Sequence, residues 1–165
     1  MRTFLLLSCF TFLMQLQAQN SSPKNPTIRN LSFDLGGPGV FTSVIYDQRF
    51  KGHNGPGFNA GIGVLPISVN SRGQLQLVYP VQLNWLVGQK RNYFEFGAGI
   101  TFASSPFSSS FFSAKDPGNR ATTAYLGYRY QSANIHGFMF RALVNVFHVD
   151  GFTVPWPGLS FGWRL

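Results

Sequence analysis

The residues best able to do chemistry are a few charged groups placed at alternating positions among apolar ones. Asp34, Glu95, Arg129, Arg141 and Arg164 fall on the polar side of their segments, and Asp47 joins them if its neighbour Tyr46 points the other way. Folding the flanking segments about the middle of the Ser-rich stretch puts Glu95 opposite Arg129. Folding about Ile135 puts Arg129 opposite Arg141. Carboxylates and guanidinia at one level can form either a charged filter for a ligand or an ion-pair network that fills an interior. The second reading is preferred, because a barrel of eight strands leaves room for side chains only.

A second set has the residue types of acyl transfer. His148 and Asp150 stand near the end of one segment, and Ser104, Ser105, Ser108, Ser109, Ser110 and Ser113 crowd a nearby loop. A serine nucleophile beside a His base could transfer an acyl group on lipid. No spacing ties one of these serines to the base, so a non-enzymatic role is expected and lipid acyl transfer is kept as the alternative. His53, His136 and His148 lie in different connections, which does not predict a metal site. Gly97-x-Gly99 precedes no helix and is read as interior packing, so no cofactor is expected. Phe107, Phe111 and Phe112 in the Ser-rich loop either fold back over the mouth of the fold, the preferred reading, or form a docking surface for another protein.

The elements that position these residues are strands. Apolar and polar residues alternate over Leu31 to Leu35, Val40 to Arg49, Phe58 to Val64, Val81 to Val87, Phe94 to Phe102, Ala124 to Tyr130, Phe138 to Val146 and Leu159 to Leu165. Turn-forming residues separate these runs, as in Gly36-Gly37-Pro38-Gly39, His53-Asn54-Gly55-Pro56-Gly57 and Asp150-Gly151. Pro80 is read as a bulge. Residues 104–120 form one long loop. If that loop is extracellular, the connections at 88–92 and 132–137 face the periplasm, where turns are short. The first hairpin fits less well, since Gly36 to Gly39 is tight for an outer loop and Phe50 to Gly57 long for an inner turn.

Composition decides which solvent the apolar face meets. Charged residues make up only 11% of the chain and aromatics 16%, against a usual charged share of about 25%. A soluble eight-stranded barrel must carry Lys and Glu on one face, whereas here the polar face is mostly Gly, Ser, Thr, Asn and Gln. That face suits a packed interior, and the Phe-, Leu- and Val-rich face suits lipid, with Tyr46, Trp85, Tyr128, Tyr130, Trp156 and Trp163 as interfacial girdles. The formal net charge of +8 is scattered. Together with export, this argues against nucleic acid and for phosphate-bearing lipid head groups as the partner.

Residues 1–18 read as a cleaved signal peptide, with Arg2 ahead of the apolar run Phe4 to Met14 and Ala18 before the cut. Residues 19–30 are an N-terminal extension and 31–165 an eight-stranded antiparallel up-and-down transmembrane barrel. Loss of the signal removes Cys9, the one cysteine, and with it any disulfide.

The ending Gly158-Leu159-Ser160-Phe161-Gly162-Trp163-Arg164-Leu165 resembles the terminal strand of outer-membrane barrels, with Leu165 where Phe or Tyr is usual. A signal ending in Gln-Ala-Gln, Phe33-Asp34-Leu35-Gly36-Gly37-Pro38-Gly39, Phe94-Glu95-Phe96-Gly97-Ala98-Gly99 and Leu126-Gly127-Tyr128-Arg129-Tyr130 occur in that order. On these motifs the chain resembles the small outer-membrane β-barrels of Bacteroidota, a mostly uncharacterised family. The leading expectation is an outer-membrane protein with a structural or accessory role, as a subunit beside a larger membrane complex. A narrow passive pore is the remaining alternative.

Overall fold

The computed structural model describes residues 27–69, 72–107, 118–134 and 136–165. Eight strands close into one antiparallel ring in chain order: β1 (Arg29–Gly36), β2 (Thr42–Arg49), β3 (Gly55–Val69), β4 (Arg72–Gln89), β5 (Asn92–Ala103), β6 (Arg120–Gln131), β7 (Phe138–Val149) and β8 (Phe152–Arg164). Closure is made by β1 against β8, from Asn30 paired with Arg164 to Gly36 paired with Gly158. A closed ring leaves no unpaired edge, the condition for burying a sheet in a solvent without hydrogen-bonding partners. The barrel begins at Arg29, two residues before the boundary expected from the alternation, and the signal segment lies outside the described residues.

Among the described residues, side-chain alternation puts most large apolar residues outward, with Ile45, Leu65, Leu86, Met139, Leu143 and Phe147 among those facing in. Phe33, Val44, Ile62, Val81, Leu83, Phe94, Phe96, Leu126, Val144 and Phe161 are all exposed, whereas Asn30, Asp34, Asp47, Asn59, Gln82, Glu95, Arg129 and Arg141 are fully enclosed or nearly so. Apolar side chains outside and charged ones inside is the reverse of a water-soluble domain.

The connections at 50–54, 90–91 and 132–137 share one end of the barrel, here the turn end. The other, loop end carries 37–41 and 150–151, together with the strand ends at Val69, Arg72, Ala103 and Arg120. Asp150 and Gly151 have φ of 45° and 83°, as a two-residue hairpin with both central residues left-handed requires. At the opposite turn Lys90 takes φ of 59°.

Two expectations change. Pro80 makes no bulge, because Ala60 pairs with Val81 and Gly63 with Val78 at one unchanged offset. The ladder simply skips the pairs between, where proline has no N–H to donate. Trp156 belongs to no outer girdle: it shares a face with Gly158 and Ser160, and its indole Nε1 donates to the Val40 carbonyl at 2.6 Å.

Candidate functional site

The lumen is filled in two layers of opposite character. Toward the turn end, three carboxylates and three guanidinia interlock. Asp47 Oδ1 accepts from Asn30 Nδ2 at 3.0 Å and Arg129 Nη2 at 2.8 Å. Its Oδ2 accepts from Arg49 Nη2 at 2.8 Å and Asn84 Nδ2 at 3.0 Å. Glu95 Oε1 accepts from Asn84 Nδ2 and from the Tyr125 hydroxyl, both at 3.1 Å, while Oε2 faces Arg129 Nη1 at 3.5 Å. Arg141 Nη2 binds Asp34 Oδ2 at 2.9 Å, and its Nη1 lies 3.6 Å from Glu95 Oε1. Ser32 Oγ donates to Asp34 Oδ1 at 2.9 Å. Each carboxylate therefore has several donors, the condition under which buried charges are tolerated.

The neutral balance follows from the strand parity. Asp47 and Arg49 sit two apart on β2 and so share a face, while Arg129 and Arg141 are paired across β6 and β7. Glu95 pairs with Gly127 in the ladder, not with Arg129, which pairs with Tyr93. The connection from β5 to β6 is centred one residue earlier than its midpoint suggested, which slides the register by two and keeps the same face inward. Arg129 still reaches Glu95 because its side chain is long.

Arg164 lies outside this cluster. It faces inward at the end of β8, and its Nη1 donates to the Ala133 carbonyl at 3.0 Å. Arg49, Asn84 and Tyr125 are members that the sequence reading did not single out. Their signal was parity, since each falls on the face of an already identified inward residue: Arg49 with Asp47, Asn84 with Gln82, Tyr125 with Arg129. Gly97 makes room for one of them, because a Cβ there would stand 2.7 Å from the Tyr125 ring.

Toward the loop end the lumen turns apolar. Val40, Leu65, Val78, Ala103, Phe107, Ala121, Phe147 and Val149 form one buried cluster, with Val154 and Trp156 packed on it. The connection from β1 to β2 folds into this mouth. Gly36 and Gly37 adopt φ of 70° and 69°, a region favouring glycine, and turn buried Pro38 inward so that its carbonyl accepts from Thr101 Oγ1 at 2.9 Å.

Of the two readings of the loop aromatics, Phe107 follows the preferred one: it folds over the mouth, 1% exposed and packed in this plug, and so is not part of a docking surface. Phe111 and Phe112 lie outside the described residues. His148 is on the outer face, where Nδ1 pairs with Thr153 Oγ1 at 2.9 Å. Asp150 Oδ2 accepts from the Gly118 backbone N–H at 2.6 Å. Ser104 Oγ accepts from Leu77 N, and Ser105 receives the side-chain amide of Gln76. The hydrogen bonds of these four residues thus lead to other partners, not into a Ser-His-Asp relay. Ser108, Ser109, Ser110 and Ser113 are outside the described residues. Among the described residues no group of three or more His, Cys, Asp or Glu gathers as a metal site.

No family model and no curated protein matches the chain. Among solved structures it is similar to the outer membrane protein Ail of Yersinia pestis in a phospholipid bilayer nanodisc. The TM-score is 0.55 at 13% identity, over 86% of this chain and 100% of that one. At that identity the likeness concerns the fold: a closed eight-stranded barrel of the outer-membrane kind.

Proposed function

We propose that this chain is an integral outer-membrane β-barrel with a structural or accessory role, exported by a cleaved signal peptide and allied to the small barrels of Bacteroidota. The observation that supports a non-transporting role is the double filling of the lumen, by ion pairs toward the turn end and by the apolar cluster around Phe107 and Trp156 toward the loop end. An ion crossing it would have to displace three buried guanidinia from their carboxylates and then pass an apolar constriction. Lipid acyl transfer receives no support from the partners of His148 and Asp150.

The purified barrel in planar bilayers is expected to give flat current traces; discrete conductance steps would discard the sealed reading. Lipid profiles of cells expressing the wild type or His148→Ala are expected to coincide, and a difference would instead favour the enzyme. For the accessory role, deletion of residues 104–120 is expected to remove whatever co-purifies in mild detergent without altering lipid composition. A co-purifying set unchanged by the deletion would count against that loop as the contact.

A further inference from the structure

The outer wall is not uniform. Across β3 to β6 near the turn end it is indented by a groove of about 670 Å³. Phe50, Trp85, Phe94 and Phe96 form its sides, and Gly97 and Ala98 its floor. The depression has a sequence cause. Ala98 presents only a methyl group on the outer face of β5, where its neighbours on that face are Phe96 and Ile100. Its size falls within the roughly 300–1,000 Å³ typical of small-ligand sites.

The end of the groove is basic. Lys51 follows Phe50 directly, and Lys90 and Arg91 form the turn that leads into Phe94; all three are exposed. The two connections are tied together, since Asn54 Nδ2 donates to the Gly88 carbonyl at 2.8 Å. The Tyr93 hydroxyl donates to the Lys90 carbonyl at 2.9 Å and steadies the turn. Among the described residues no carboxylate side chain offsets these cations. Asp34, Asp47 and Glu95 are enclosed in the lumen, and Asp150 is at the loop end. Leu165 follows β8, which stands two strands from β2 and three from β5 around the ring.

We propose that this groove is a binding site for one anionic phospholipid, with an acyl chain lying between the aromatic walls and the phosphate held by Lys51, Lys90 and Arg91. The inference rests on the reading that the outer wall faces a bilayer. An anionic head group fits better than a zwitterionic one, because three cations without a carboxylate offer nothing to an ammonium.

Native mass spectrometry of the delipidated full-length mature chain in detergent, with phosphatidylglycerol or phosphatidylcholine added, tests the site. A one-to-one phosphatidylglycerol adduct is expected, with clearly weaker retention of phosphatidylcholine. A surface cation contributes roughly five-fold to such binding, so Lys51→Gln/Lys90→Gln/Arg91→Gln is expected to weaken it about a hundred-fold. Arg120→Gln, at the opposite end, is expected to leave it unchanged. Ala98→Phe fills the groove and is expected to weaken both lipids. Equal retention of the two lipids, an unaltered triple variant, or displacement of the lipid by inorganic phosphate alone would overturn the proposal. Failure of the bilayer reading would appear separately, as a folded chain that stays monodisperse without any amphiphile.

Discussion

Asp47 shows how a few residues carry the interior. Both its oxygens are saturated by donors from four strands, β1, β2, β4 and β6, so its charge links elements that are not neighbours in the ring. Arg129 is the counterpart, bridging Asp47 at 2.8 Å and Glu95 at 3.5 Å. Removing it leaves two carboxylates short of a partner in an enclosed space. Breaking a buried pair from one side costs about 3–5 kcal/mol. Arg129→Ala is therefore expected to lower the unfolding free energy from urea titration in vesicles by that order, with Arg129→Lys falling between. An unchanged value would show that the network contributes nothing to stability.

At the scale of elements, the two ends of the barrel behave differently. The loop end is held by a connection folded inward, with Trp156 Nε1 donating to the carbonyl of Val40. Trp156→Phe keeps most of the ring and removes the donor, so a loss of about 1 kcal/mol is expected, measured by the same urea titration. At the turn end, His53 stacks on Tyr93 with centroids 6.5 Å apart. Its pKa is lowered from the ordinary histidine value of 6.5, first by burial and then by the charges of Arg164 and Arg129. The unfolded chain thus takes up this proton more readily than the folded one. Stability on this account is fully present above pH 6.5 and declines as the pH falls through the lowered value. His53→Asn is expected to flatten that decline between pH 7 and pH 5 in unfolding titrations, and an identical pH profile would refute the assignment.

For the molecule as a whole, the solvent decides stability. The belt of exposed Phe, Leu, Val and Ile can be satisfied only by hydrocarbon, and closure of β1 on β8 satisfies the backbone within it. Val81 lies midway along β4 on the outer face. Val81→Arg is expected to cost about 2–4 kcal/mol in refolding titrations from urea into vesicles. The same substitution would be nearly neutral if that face met water, which makes the pair of outcomes decisive for the orientation of the sheet.

Alternation with a period of two made the eight strands and their inward faces readable from the residues alone, because the two faces of these strands meet different surroundings and cannot exchange them. The inward positions of Asp34, Glu95, Arg129 and Arg141 followed from that parity. What parity cannot supply is level along the axis, which depends on how each connection is centred. Glu95 therefore pairs with Gly127 instead of Arg129, and Arg164 stands at the rim instead of in the cluster. Nor could it show that Phe107, Trp156 and the Gly36–Gly39 connection turn into the mouth, since that choice rests on contacts between segments far apart in the chain. Local pattern determined which face each side chain takes; only closure of the ring determined which partners it meets there.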